Sequence, residues 1–108
     1  GADINANIYA GGNITATSFN ATSDYRIKQN VMMLDASFNV DVLKPVSYIN
    51  MRLGKPDIGF IAHEVGEHYP YLVNGEKDGE VMQTLNYTGI IGILTREIQE
   101  LKKRIAIG

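Results

Sequence analysis

Residues 86–107 place the tightest constraint on what this chain can become. Tyr87, Ile91, Leu94, Ile98, Leu101 and Ile105 recur at alternating intervals of four and three. An α-helix with that spacing keeps returning one face to a partner helix, so the segment is expected to be one long helix carrying a heptad seam. Ile91, Ile98 and Ile105 then occupy the a positions, and Tyr87, Leu94 and Leu101 the d positions. Glu97 falls at g and Lys102 at e of the next heptad, a pair that can bridge two helices. The same helix could lie on its own domain. The strict heptad and the charged run Arg96-Glu97 to Lys102-Lys103-Arg104 favour self-association instead. Three heptads alone are marginal. Ile at a with Leu at d favours two strands in isolated parallel coiled coils. Ile90 at g and Ile93 at c widen the apolar face, which lets the globular bodies take part in setting the number of chains.

The rest of the chain has a composition break near residue 23. Residues 1–22 are Gly, Ala, Asn, Thr and Ser with scattered Ile, Tyr and Phe, and Asp3 is their one charge. Ile14, Ala16 and Ser18 alternate with Asn13, Thr15 and Thr17, and Gly11-Gly12 marks a turn. This pattern suits short strands too polar to build a core alone, as in a stalk stabilised by pairing several copies. Residues 24–83 read as a small α+β body. Phe38, Val42 and Leu43 fall at helical spacing before Pro45, and Val46–Tyr48 and Ile58–Phe60 suit a hairpin. A short helix is expected over 62–69, ended by Pro70. Two strands, Tyr71-Leu72-Val73 and Val81-Met82, should flank the turn-rich stretch 74–79.

With 108 residues, the chain has the size of one domain, and at that size oligomerisation is a natural route to stability. It opens Gly1-Ala2-Asp3 rather than with Met, which suggests a piece of a longer polypeptide. A net charge of −2 gives a nucleic-acid partner no electrostatic support. The absence of cysteine excludes a disulfide framework. His63 and His68 lack a further ligand pattern, so neither a metal site nor a cofactor is expected. No run approaches the ~20 apolar residues of a membrane-spanning helix, so no membrane partner is expected.

Chemistry is most concentrated in Thr22-Ser23-Asp24-Tyr25-Arg26-Ile27-Lys28. One reading makes Ser23-Asp24 a helix cap and Arg26 and Lys28 surface charges. The other is catalytic. A serine hydroxyl is a poor nucleophile until a base takes its proton, and a desolvated lysine can be that base. Ser–Lys pairs are a known variant of the catalytic triad. The nearest target for Ser23 would be the carbonyl of Thr22.

Ser23-Asp24-Tyr25-Arg26-Ile27-Lys28-Gln29-Asn30 resembles the S-D-x-R-(L/I)-K-x-N signature of the endosialidase-type intramolecular chaperone family of self-cleaving serine peptidases. Further segments follow in the family's order. Leu43-Lys44-Pro45-Val46-Ser47-Tyr48 resembles its L-x-P-V-x-(Y/F) strand, and Gly59-Phe60-Ile61-Ala62-His63-Glu64-Val65 its G-(F/V)-I-A-Q-E-V segment. Tyr69-Pro70-Tyr71-Leu72-Val73 and Leu85-Asn86-Tyr87 resemble its (F/Y)-P-x-L-V and closing L-x-Y. Thr15-Ala16-Thr17-Ser18-Phe19 looks like the end of the stalk that often precedes the domain.

The resemblance implies an α+β domain over residues 23–108, ending in a coiled-coil helix and preceded by a β-stalk segment, triple β-helix-like, over 1–22. It implies a homotrimer on a viral tail spike or tail fibre, assembled in the host cytoplasm as a virion-associated precursor. The domain would help the upstream stalk of the same polypeptide to fold, then release itself by cutting between Thr22 and Ser23. Ser23 would be the nucleophile, Lys28 its base, Asp24 an orienting group and Glu64 a supporting one. His63 stands where the family usually has Gln, so a role needing that amide does not transfer. The alternative is a trimerisation cap that keeps the fold and stays attached.

Overall fold

A computed structural model describes residues 6–107. The chain divides into two units, one formed by the segments up to Val31 and Tyr48–Asp57, the other by Met32–Ser47 and the segment from Ile58 onward. The element order is β1 (Val46–Asn50), β2 (Lys55–Gly59), α1 (Ala62–Gly66), β3 (Val73–Asn74), β4 (Thr84–Leu85) and α2 (Tyr87–Ile107), with short 3-10 turns at Tyr25–Ile27 and Val40–Val42 before β1 and at Pro70–Leu72 before β3. This is a small mixed α+β arrangement with one long terminal helix, as the sequence leads one to expect. Among the described residues no helix is long and apolar enough to cross a membrane.

The single chain departs from the sequence pattern at two places in its first half. No strand forms among described residues 6–22, where Ile8, Tyr9, Ile14 and Phe19 all stand exposed; residues 1–5 of the leader lie outside the described residues. An alternating segment becomes a strand only when a second edge takes its backbone N–H and C=O groups. The expected helix around Phe38–Leu43 shrinks to a single 3-10 turn, Val40–Val42. There the Asn39 side chain accepts the Asp41 N–H at 3.1 Å. Asn offers the backbone this local alternative to a helix, and the two flanking valines are stiff in one.

The β1–β2 pair is the expected hairpin. Asn50 Oδ1 accepts the N–H groups of Arg52 and Leu53 at 3.1 and 3.2 Å, and Gly54 closes the turn at φ 67°. In α1 the chain makes one more α-type bond, Tyr69 N–H to Val65 C=O at 2.9 Å, before Pro70, which has no N–H to give, opens a 3-10 turn. The second hairpin pairs Val73 with Leu85 and Asn74 with Thr84. Val81 and Met82, expected in its return strand, lie instead in its loop and are exposed. The apolar character of that dipeptide mimics a strand, but the register is set by Val73 and Leu85, which pack on the core.

That core is small and lies wholly in the second unit. Val65, Tyr69, Leu72, Ile90 and Ile93 are buried, with Phe38, Val40, Val42, Leu43, Phe60, Val73 and Leu85 packed around them. Phe38 stacks on Tyr69 with ring centroids 5.8 Å apart. The Tyr69 hydroxyl accepts the Asn39 N–H at 3.1 Å, which satisfies its polar tip inside the apolar cluster. Asn86 starts α2 by accepting the Thr88 N–H at 3.1 Å, while its own N–H goes to Leu72 C=O at 2.7 Å. The helix therefore begins against Leu72, and Gly89 is what lets it come so near. A Cβ at Gly89 would run into both Cδ atoms of Leu72. Gly89→Ala is expected to lower the melting temperature, although alanine favours a helix over glycine by about 1 kcal/mol. Overpacking costs about 1–3 kcal/mol, and Leu72 is buried in the core at 7% exposure. Thermal unfolding checks this; an unchanged or higher melting temperature contradicts it.

Candidate functional site

The sequence Ser23-Asp24-Tyr25-Arg26-Ile27-Lys28 folds into one tight turn. Tyr25–Ile27 is a 3-10 helix whose N-cap is Asp24. Asp24 Oδ1 accepts the Arg26 backbone N–H at 2.9 Å, as a capping aspartate should. Its carboxylate is then gripped by the same residue's side chain, Arg26 Nε to Oδ1 at 2.9 Å and Nη2 to Oδ2 at 3.1 Å. This two-pronged pairing fixes orientation as well as proximity. Ile27 N–H to Asp24 C=O at 3.2 Å and Lys28 N–H to Tyr25 C=O at 3.0 Å complete the turn. A 3-10 turn advances about 2 Å per residue, so residues at its two ends stay within side-chain reach. Lys28 Nζ lies 2.6 Å from Ser23 Oγ and donates a hydrogen bond to it.

All of these residues are exposed in the single chain. The Arg26 guanidinium holds the Asp24 carboxyl below the usual carboxylate range, through its side chain first and its backbone N–H second. The pair is open to water, with side chains 76% and 42% exposed, so its contribution is geometric more than energetic. Arg26 is the residue that reading the sequence alone undervalues, taking it for a surface charge. The signal for it is the i, i+2 placement of an arginine after a capping aspartate.

Glu64 lies in the second unit, on α1, where its Oε2 is 3.9 Å from Lys44 Nζ. That is a loose ion pair between partly exposed groups, of the kind worth little. Ser23, Asp24 and Lys28 are thus brought together in one turn, and Glu64 is engaged with Lys44. His63 and His68 sit on and just after α1; among the described residues no group of His, Asp and Glu side chains could hold a metal ion.

Helix α2 carries two stripes rather than one. Ile90 and Ile93 are buried at 3% and 2% exposure in the chain's own core, followed along the same face by Glu97. Glu97 Oε1 accepts the Val40 N–H at 2.8 Å, while Arg96 Nη1 donates to Phe38 C=O at 3.2 Å and lies 3.5 Å from Glu97 Oε2. These contacts pin residues 38–42 to the helix. Offset by one residue, the seam Tyr87, Ile91, Leu94, Ile98, Leu101 and Ile105 is uncovered, with exposures from 43% to 71%. Tyr87 alone of these makes a ring contact, with Phe60 at 6.2 Å. So Glu97, expected at the seam's flank for a bridge between helices, first serves its own chain.

The second unit is an α+β body whose helix α2 carries an uncovered heptad seam, and the first unit holds a turn that pairs a serine with a lysine. Comparison with known proteins gives the chain a setting. The long tail fiber protein Gp37 of Escherichia phage AR1 is 34% identical over 87 residues, covering 72% of this chain and 8% of the relative. The protein of the same name from Salmonella phage S16 is 32% identical over 120 residues, covering 94% of this chain and 16% of the relative. The chain is therefore similar to a segment of phage long tail fibre proteins and spans only a small part of their length. No family model and no solved structure matches it.

Proposed function

We propose that this chain is an intramolecular chaperone module of a phage tail fibre, which assembles as a homotrimer and cuts itself from the fibre between Thr22 and Ser23. The observation that carries the reading is the 2.6 Å contact of Lys28 Nζ with Ser23 Oγ, made by a turn whose geometry Asp24 and Arg26 hold. Relatedness to tail fibre proteins supplies the viral setting.

The chemistry is an acyl shift followed by hydrolysis. Ser23 Oγ attacks the Thr22 carbonyl carbon while the neutral Lys28 amine takes the hydroxyl proton. The C–N bond of the tetrahedral intermediate breaks, and the proton passes to the departing Ser23 nitrogen. Thr22 is then held as an ester on Ser23 Oγ. Water hydrolyses that ester, leaving a Thr22 carboxylate and Ser23 with its hydroxyl and a free α-amine. The step is a single turnover, because the substrate bond lies in the same chain.

A base needs a free lone pair, and water favours the charged amine; covering the site removes that water. Partner copies are the natural cover. The uncovered apolar side chains include the whole α2 seam and leader residues Ile8, Ile14 and Phe19. Three copies would bury the seam and pair the leader edges as the end of a stalk. The test of the chaperone role is to express an upstream fibre segment with and without residues 23–108 attached. A detergent-resistant trimeric stalk is expected only with them; equal yield without them contradicts the role.

A further inference from the structure

We propose that the groove between residues 36–41 and the edge of α2 receives Lys102 of a neighbouring copy, so that Asp41 and Glu97 of one chain form an ion-pair site completed only in the assembly. The inference rests on the trimer reading and names the contact that flanks the seam. The groove is lined by Asp41, Arg96, Glu97, Glu100, Leu101 and Arg104, among others. Leu101 belongs to the exposed seam, so the groove opens directly beside the face where a second helix would lie.

The charges in and around it are partly spoken for. Arg96 is committed to Phe38 C=O and Glu97, and Glu100 Oε1 accepts from Lys103 Nζ at 3.2 Å. Asp41 makes no ion pair among the described residues. Glu97 uses Oε1 for the Val40 N–H, and a carboxylate retains further acceptor sites beyond one such bond. On the opposite flank of the seam Lys102 is exposed and likewise makes no ion pair among the described residues. An acidic group on one flank and a basic group on the other are complementary under the rotation that relates neighbours in a parallel bundle. There, g of one helix meets e of the next helix one heptad on, which sets Lys102 of one copy against Glu97 of its neighbour. Arg104, the groove's other cation, lies seven residues beyond Glu97. That is about 10 Å along the axis, so its repulsion directs the incoming ammonium toward the Asp41 and Glu97 end.

Zero-length carbodiimide coupling of the purified protein tests this, since it joins an amine to a carboxylate only when they touch. Covalent oligomers are expected whose digests contain Lys102 joined to Asp41 or Glu97. Lys102→Arg keeps the charge but supplies no coupling amine, and it should reduce those oligomers at least tenfold while sedimentation still reports the assembled mass. Asp41→Asn should reduce the Lys102–Asp41 product alone. Oligomers undiminished in Lys102→Arg, or an assembled protein that yields no Lys102 coupling, would overturn the groove contact and leave the trimer standing. A parent protein that sediments as a monomer would overturn both.

Discussion

Replacing Ser23 by alanine is expected to abolish the cut completely. Without Oγ the proposed mechanism has no nucleophile, and among the described residues Lys28 Nζ donates to no other side-chain hydroxyl. Lys28→Ala keeps the nucleophile and removes its base, which should slow cleavage by roughly 10²–10⁴-fold. Lys28→Arg is the sharper control. It keeps the positive charge and can still donate to Ser23, yet a guanidinium is not deprotonated in proteins and cannot act as a base. If Lys28→Arg cuts at the parent rate, the lysine serves only as a hydrogen-bond donor and the mechanism is wrong. Fragment masses over time after folding is initiated give each rate. Arg26→Ala should fall between these extremes, because it frees the Asp24 carboxylate without removing either reacting group.

Placing a carboxylate in the seam, Ile98→Asp, is expected to dissociate the trimer and stop cleavage together. Ile98 is 58% exposed in the single chain, so its own body loses little by the change. In a trimer the substitution places three carboxylates side by side in an apolar seam, and an unpaired buried charge costs several kcal/mol. About 4 kcal/mol corresponds to a thousandfold in an equilibrium constant. Ile93→Asp is the instructive contrast. At 2% exposure it sits in the chain's own core, so the same chemical change should unfold the body itself. Far-UV circular dichroism with sedimentation separates the two outcomes: a folded monomer for Ile98→Asp, loss of structure for Ile93→Asp. The coupling to cleavage follows from entropy. Fixing a residue's backbone costs about 1–2 kcal/mol, and the described leader residues 6–22 make no strand within one chain. Productive attack needs the carbonyl roughly 3–3.5 Å from Oγ at the right angle, a geometry that paired leaders would hold. A monomeric Ile98→Asp protein that cuts at the parent rate would break the link between assembly and cutting.

Much of this was legible in the residues, for reasons that also explain what was not. The terminal helix was plain because six large apolar residues repeat without a break. What periodicity could not tell is which of two adjacent stripes faces home. The seam and the Ile90–Ile93–Glu97 stripe differ by one residue, about 100° around the helix. Only the body's shape, with Leu72 set against Gly89, decides that Ile90 and Ile93 turn inward. Val81 and Met82 misled because exposed apolar residues in a loop look like a strand until the register is known. The Phe38–Leu43 segment misled because its apolar residues reach the core from a pinned loop. That loop is held by Arg96 and Glu97, more than fifty residues away in sequence, which no local pattern announces. The Ser23–Lys28 proximity was local and needed only the turn that Asp24 caps. Glu64 lies on the short helix expected at 62–69, but its partner Lys44, distant in sequence, was not readable from any local pattern.

The most direct test of the account is the intact mass and first residue of the assembled protein, expressed with its leader and measured on the fraction that sediments as a trimer. The account predicts chains that begin at Ser23, together with a released leader fragment ending in a Thr22 carboxylate. A stable trimer in which every chain retains the Thr22–Ser23 bond would contradict it, and would make the module a cap that stays on the fibre.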